Sequence, residues 1–161
     1  MTKQEPVLHI PKIEEGIVID HIPAGLGTRV LDIIRSYDGM NEVVITLALN
    51  CQSSRLGRKD LLKLEKATIP EHVLDHMALV SPGITIKRIR NYVVDKKFVI
   101  SIPKKIVGLA RCKNPNCISN NERDQATEFT GVRRAPGSFR CAFCERVFSL
   151  KELELKEANG S

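Results

Sequence analysis

Four cysteines near the C-terminus constrain this chain more than any other feature of its sequence. They form two pairs, Cys112-x4-Cys117 and Cys141-x2-Cys144, separated by 23 residues. Two pairs of thiolates brought together by the fold make a tetrahedral S4 site, the arrangement that structural Zn²⁺ prefers. Nothing in the sequence indicates export, so two disulfides are the weaker alternative, and an iron site of similar geometry is a third. The spacing therefore predicts one structural zinc ion held by all four cysteines.

A metal held by four cysteines has no open position for water or substrate, so the predicted zinc is not catalytic. Elsewhere, Asp20-His21 is the only adjacent pair that suggests acid/base chemistry, and on a strand their side chains are expected on opposite faces. The sequence has no G-x-S-x-G, Walker or dinucleotide-binding glycine motif. Cys51 is interpreted as a small apolar core residue. We therefore predict a protein without catalytic residues.

The composition of the chain and one short segment with Pro and Gly predict two folded domains. Apolar residues make up 42% and charged residues 27% of the chain, as in average globular proteins. No apolar stretch approaches the roughly 20 residues that cross a bilayer, and the polar start Met1–Glu5 is not a signal peptide. The segment Pro103–Gly108 has the Pro and Gly of a junction. We expect a cytoplasmic protein without a membrane partner, with domains at residues 1–102 and 103–161.

Hydrophobic periodicity predicts an α+β fold for the first domain. The first helix is predicted by apolar residues at helical spacing, namely Leu26, Val30, Ile33, Ile34 and Tyr37. A capping box at Thr68 and Glu71 predicts the start of a second helix that ends before Pro82. Strands are predicted at 16–22, 43–49, 59–65 and 84–90, with a last one in pieces at 92–94 and 98–100. This order is typical of a ferredoxin-like α/β sandwich, an antiparallel sheet with two helices on one face.

The second domain has a different pattern. After Cys112 the sequence has no helical period, and short segments such as 138–140 and 146–148 predict a small all-β zinc-binding domain. Residues 151–161 form a charged tail that we expect to include a short helix.

The period of two along the predicted strands places a set of polar and apolar side chains on one face of the sheet. These are Val18, Asp20, Lys59, Leu61, Lys63, Lys87 and Ile89. Such a face offers cations for phosphates, a carboxylate for a ribose or base, and apolar side chains for a base. The alternative is that the lysines form the solvated side of an amphipathic sheet.

The net charge of +6 suggests an anionic partner. Four thiolates around one Zn²⁺ would lower this charge to about +4, and basic residues beside the cysteines would offset the metal centre. A zinc-ribbon protein that binds nucleic acid through Arg133, Arg134 and Arg140 is the main alternative function. Aromatic residues make up only 4% of the chain, which disfavours stacking on single strands. We therefore expect no nucleic-acid partner.

Three motifs, together with the cysteine spacing, resemble a known family. They are Val18–Pro23, Gly57–Leu61 and Asn114–Ile118, and the chain is similar from about Pro11 to Phe148 to the regulatory chain of aspartate carbamoyltransferase. This resemblance implies a nucleotide-binding domain followed by a zinc domain that docks on the catalytic chain, with docking expected within residues 113–148. It further implies an allosteric subunit of pyrimidine biosynthesis. CTP would inhibit, UTP would aid the inhibition by CTP, and ATP would compete as an activator. Regulatory-chain homodimers, three of them, would link two catalytic trimers.

The resemblance also implies a nucleotide site built from the N-terminal segment and the sheet. Its expected residues are Ile10, Lys12, Ile13, Asp20, His21, Lys59, Leu61, Lys63, Lys87, Ile89, Tyr92, Val94 and Lys97. Two features depart from the family pattern, because Lys87 stands where well-studied members have a neutral amide and Pro11-Lys12 replaces an acidic-small pair. A further cation is expected to strengthen triphosphate binding or to change nucleotide preference.

Overall fold

The computed structural model describes residues 10–156, and its first part is a five-stranded antiparallel sheet covered by two helices. The elements are β1 (Gly16–Pro23), α1 (Gly27–Arg35), β2 (Ile45–Ser53), β3 (Gly57–Glu65), α2 (Glu71–Val80), β4 (Thr85–Arg90) and β5 (Val93–Val99). The spatial order β2-β3-β1-β4-β5 is that of a ferredoxin-like sheet with β5 added at one edge. The predicted α+β fold and order of elements are confirmed.

One face of this sheet packs against both helices. Its core side chains come from alternate positions of the strands, such as Ile17, Ile19, Leu62, Leu64 and Ile86, and all of them are buried. The helices contribute Val30, Ile33, Ile34, Val73 and Met77 to the same core. The opposite face of the sheet has no helix over it within residues 10–156, so its side chains remain available to other groups.

The ends of several elements differ from the sequence-based expectation. The capping box at Thr68 is wrong, because α2 begins at Glu71 after an extended Pro70 and no side chain caps it. Strand β2 begins at Ile45, two residues later than predicted, and continues to Ser53. Tyr92 lies in the turn before β5 rather than in the strand, since Asn91 and Tyr92 both have positive φ. Strand β5 itself is continuous.

The second part of the chain is a small β structure. It contains β6 (Lys105–Val107), β7 (Ala110–Arg111), α3 (Ile118–Asn121), β8 (Glu128–Gly131), β9 (Ser138–Cys141), β10 (Val147–Ser149), a 3₁₀ helix (Leu150–Glu152) and β11 (Glu154–Leu155). Four strands form a sheet in the order β10-β9-β8-β6, and β11 pairs with β7. The tail that was expected to be helical instead makes one 3₁₀ turn and then β11, while residues 157–161 lie outside the described range.

The two parts meet at the end of α2. Leu79, in the last turn of α2, belongs to the core of the second part together with Ile106, Phe129 and Leu153. A groove of about 450 Å³ lies at this junction, between the end of α2 and the 3₁₀ helix. Neither the helices nor any other helical segment between residues 10 and 156 is long and apolar enough to span a bilayer.

Candidate functional sites

The four paired cysteines converge on one point. Cys112 follows β7, Cys117 precedes α3, Cys141 is the last residue of β9, and Cys144 lies in the turn between β9 and β10. Their sulfur atoms all lie within 4.8 Å of one another, with 3.6 Å between Cys112 and Cys144 and 3.8 Å between Cys117 and Cys141. A tetrahedron of sulfurs about 2.3 Å from a zinc ion has edges of about 3.8 Å. None of the cysteines is in a disulfide.

The surroundings of the sulfurs fit a closed metal centre. Cys112, Cys117 and Cys141 are buried and belong to the core of the second part. Asn120 supports the first loop, since its side-chain amide donates hydrogen bonds to the carbonyls of Cys112 and Asn114 at 2.7 and 2.9 Å. Burial raises the pKa of the Cys112 and Cys141 thiols, so a bound dication would have to displace their protons. Four sulfur donors suit one thiophilic metal ion.

The uncovered side of the five-stranded sheet, called the open face below, carries the side chains that the period of two predicted. Val18 of β1 lies between Lys63 of β3 and Lys87 of β4 in the strand register. Val18, Ile13 and Ile89 are buried together, with Leu61 packed against them. The open face thus combines an apolar patch with lysines on both of its flanks.

Asp20 is the centre of the charged groups on the open face. Lys59 Nζ lies 2.7 Å from its Oδ1, and Lys87 Nζ lies 2.7 Å from its Oδ2. The His21 backbone N–H also donates to Oδ1, at 2.7 Å. Burial favours the neutral carboxyl, but the two lysines and this N–H outweigh it and hold the pKa of Asp20 well below its usual range. Asp20 is therefore a carboxylate shared by two cations.

His21 occupies a β-bulge. The register of β1 with β3 shifts between Ile19 and Ile22, and His21 has a φ of 58°. Its Nδ1 lies 3.1 Å from Thr85 Oγ1 and 3.9 Å from Asp20 Oδ2. The expectation that Asp20 and His21 point away from each other is wrong, because the bulge interrupts the strict alternation on which it was based. Burial lowers the pKa of His21, so it is neutral near pH 7.

The N-terminal segment lies against the same face. Lys63 Nζ donates a hydrogen bond to the Pro11 carbonyl at 2.5 Å, and the Tyr92 N–H donates to the Glu14 carbonyl at 3.0 Å. Ile13 is buried in the apolar patch, whereas Ile10 is half-buried and Lys12 is exposed. Burial, and then the charge of Lys12, lowers the pKa of Lys63. These contacts bring the first predicted residues to the strands that carry the others.

Strand β5 supplies the outer rim of the open face. Lys97 lies directly opposite Lys87, and Val94 lies opposite Ile89, so both share the face of the predicted site. Tyr92, in the turn before β5, is 59% exposed. All the residues implied by the family resemblance are thus placed on or beside one surface, with Tyr92, Val94 and Lys97 at its edge.

The sequence-based prediction did not include Asp60, a residue of β3 whose side chain lies on the side of the sheet opposite the open face. Its carboxylate is buried and accepts three backbone N–H groups, from Gly25 at 2.9 Å, Gly27 at 2.8 Å and Asn50 at 2.8 Å. It therefore joins β3 to the start of α1 and to the irregular part of β2. The signal was present in the alternation, because Asp60 occupies the same phase as the core residues Leu62 and Leu64.

Two family models match this chain. Residues 8–101 match the family model for the aspartate carbamoyltransferase regulatory chain, allosteric domain, and residues 104–154 match the model for its metal binding domain. A regulatory chain from Pyrococcus abyssi is 42% identical over 146 residues, covering 91% of this chain and 95% of that protein. One from Thermoplasma acidophilum is 37% identical over 149 residues, covering 92% and 98%.

Proposed function

Because this chain belongs to the aspartate carbamoyltransferase regulatory chain family, we propose that its open face binds nucleotide effectors and that its metal domain docks on the catalytic chain. The chain is a non-catalytic subunit with an allosteric and a metal-binding domain. We place the division between residues 102 and 103, within the gap between the two matched regions.

The observation that carries the nucleotide proposal is the Asp20 cluster beside an apolar patch. Lys59 and Lys87 each lie 2.7 Å from the Asp20 carboxylate, and lysines of this kind suit phosphates. Ile13, Val18 and Ile89 form an apolar surface for a base. In the proposed function CTP inhibits with the aid of UTP, and ATP activates by competing for the same residues. The proposed site comprises three groups of residues. They are Ile10, Lys12 and Ile13 of the N-terminal segment, Tyr92 of the turn before β5, and the strand residues Asp20, His21, Lys59, Leu61, Lys63, Lys87, Ile89, Val94 and Lys97.

We propose that the metal is zinc and that its role is structural. A set of four thiolates matches the closed S4 sites of structural Zn²⁺, and such a site leaves no place for substrate. The ion would hold the loops at Cys112–Cys117 and Cys141–Cys144 together, because strands as short as β7 and β11 supply little core of their own. Zinc thus keeps the docking surface, within residues 113–148, in its folded form.

The proposed assembly contains two catalytic trimers linked by three regulatory homodimers in the cytoplasm. A nucleotide regulates such an assembly only if it binds two quaternary states with different affinity, and couplings of this kind are typically about 1–3 kcal/mol. The open face senses the nucleotide, and the metal domain transmits the difference to the catalytic chain. Leu79 of α2 gives a direct connection between them, since it lies in the core of the metal domain.

The assembly is tested by size-exclusion chromatography with light scattering. This chain is mixed with an aspartate carbamoyltransferase catalytic trimer, with and without a mercurial that removes the metal. A large complex that forms only with metal present supports the docking proposal. If both proteins elute separately while the metal is fully bound, docking is refuted and nucleic-acid binding becomes the next function to test.

Nucleotide binding is tested separately by calorimetric titration of the metal-loaded chain with CTP and ATP. A Lys63→Gln variant removes a cation next to the apolar patch and is expected to weaken binding about tenfold. Lys104→Gln, at an exposed position outside the sheet, serves as the matched control. Equal affinities for the two variants would place the nucleotide elsewhere.

A further inference from the structure

The groove at the junction of the two parts of the chain, called the junction groove below, is lined from both parts. Leu79 and Val80 lie at the end of α2, whereas Lys151 lies in the 3₁₀ helix, and Leu153 and Leu155 follow it. The volume of about 450 Å³ is within the range of sites that hold small molecules, roughly 300–1,000 Å³. Ligand sites also occur preferentially at domain interfaces. The junction groove therefore has the size and the position of a small-molecule site.

The lining of the junction groove is mainly apolar. Leu79 and Leu153 are only 4% and 6% exposed and belong to the core of the second part. Val80 and Leu155 are half-buried, and both also line the groove. A ligand that covers these side chains removes apolar surface from water, which is favourable in proportion to the area covered. The ligand should therefore have an apolar body.

Two cations also line the junction groove. Arg29 of α1 and Lys151 are both exposed, and neither forms a salt bridge with a carboxylate between residues 10 and 156. Glu152, the carboxylate next to Lys151, accepts hydrogen bonds from the Ser149 N–H and hydroxyl at 2.8 and 2.9 Å. No carboxylate is among the described residues that line the groove. An anionic group in this groove would therefore meet two cations without a competing carboxylate in the lining.

We infer that the junction groove binds a small amphipathic anion, a molecule with an apolar body and one carboxylate group. The apolar body lies on Leu79 and Leu153, and the carboxylate lies where Arg29 and Lys151 can donate to it. Because α1 and α2 belong to the first part and the 3₁₀ helix belongs to the second, such a ligand contacts both parts and stabilises their contact. None of the described residues that line the groove lies on the open face, so this inference does not depend on the proposed nucleotide function.

The test is an amide NMR titration of the metal-loaded full chain with octanoate, which has an apolar chain and one carboxylate. We expect saturable shifts at the end of α2, in the 3₁₀ helix and in β11. The double variant Arg29→Gln/Lys151→Gln should weaken octanoate binding about tenfold, since each exposed ion pair contributes a factor of roughly three. The double variant Arg35→Gln/Lys104→Gln, which removes two exposed cations outside the groove, is the matched control.

A titration with 1-octanol separates the apolar contribution from that of the charge. This alcohol has the same chain length and no carboxylate, so both double variants should bind it as the unmodified chain does. A loss of octanoate affinity in the Arg29→Gln/Lys151→Gln variant alone supports the inference. Unchanged octanoate affinity in that variant, an equal loss of octanol affinity, saturable shifts only elsewhere in the chain, or no saturable shift at all overturns it. Each of these results leaves the proposed nucleotide function untouched, because that function is measured with CTP and ATP.

Discussion

Asp20 is buried to 5% exposure, yet it remains ionised because two lysines and a backbone N–H surround it. Neither lysine has a second carboxylate within salt-bridge distance among the described residues. Removing the Asp20 charge would therefore leave Lys59 and Lys87 facing each other across β1.

We predict that Asp20→Asn destabilises the first domain by about 2 kcal/mol, less than a fully buried ion pair because water reaches both lysines. Urea unfolding of the metal-loaded chain measures the change, with Asp38→Asn at an exposed position as control. Equal unfolding midpoints for the two variants would contradict a stabilising role for the cluster.

A second prediction at the residue scale concerns Gly27. A Cβ built there would lie 2.8 Å from Asp60 Cβ and 3.0 Å from Leu49 Cδ2. Alanine is favoured over glycine by about 1 kcal/mol in a helix interior, and by less at Gly27 because it is the first residue of α1. Overpacking at such a site costs about 1–3 kcal/mol. Gly27→Ala should therefore lower the stability of the chain, while Thr28→Ala, at the exposed neighbouring position, should not. Thermal unfolding of both variants decides between the two effects.

At the scale of elements, helices α1 and α2 are joined by a polar contact in an otherwise apolar interface. The Tyr37 hydroxyl, just beyond α1, lies 3.1 Å from His76 Nδ1 of α2, and His76 is only 5% exposed. Burial, and then the charge of Arg29, lowers the pKa of His76 below 6.5. His76 is thus neutral in the folded protein at neutral pH.

This contact predicts a pH dependence of stability. Because the unfolded chain binds the His76 proton first, the stability that depends on neutral His76 is complete above pH 6.5 and is lost as the pH falls below that value. The urea midpoint should therefore fall less steeply between pH 7.5 and 5.5 for His76→Gln than for the unmodified chain. Thr28→Ala, which changes an exposed residue of α1 and removes no titratable group, should keep the original slope. Identical slopes for all three proteins would refute the prediction.

At the scale of the whole molecule, two hydrophobic cores depend on different kinds of support. The core between the sheet and its helices consists of aliphatic side chains from five elements, β1, α1, β3, α2 and β4, and of Met40, Ile84 and Ile100 beside them, and it includes none of the metal-site cysteines. The second core includes three of the four metal-site cysteines. The metal therefore stabilises one part of the molecule directly and the other only through contacts such as that of Leu79.

We predict that Cys141→Ser loses the metal and unfolds the second domain, because an incomplete S4 site binds zinc weakly and folding is coupled to metal binding. Amide hydrogen exchange should show lost protection in residues 105–155 and retained protection in β1, β3 and β4. Nucleotide affinity should persist, whereas docking on a catalytic trimer should be lost. Cys51→Ser is the matched control, and a Cys141→Ser chain that still docks normally would refute the role of the metal.

Several features of this protein followed from local sequence alone. The spacing of the cysteines predicted one site with four sulfurs. The alternation of side chains between the two faces of β1, β3 and β4 predicted that Asp20, Lys59, Lys63 and Lys87 are neighbours. Both patterns are short-range and repeat with the geometry of strands and loops, so no tertiary contact was needed to recognise them. The order of helices and strands followed for the same reason.

Other features were decided only by the tertiary structure. The bulge that turns His21 toward Thr85, the three N–H partners of Asp60 and the insertion of Leu79 into the second core all join residues distant in sequence. The same holds for the tail. It was expected to be helical, but its residues form β11 because they pair with β7. Such contacts satisfy buried polar groups and cover apolar surface. The residues that can do so become known only when the chain has folded.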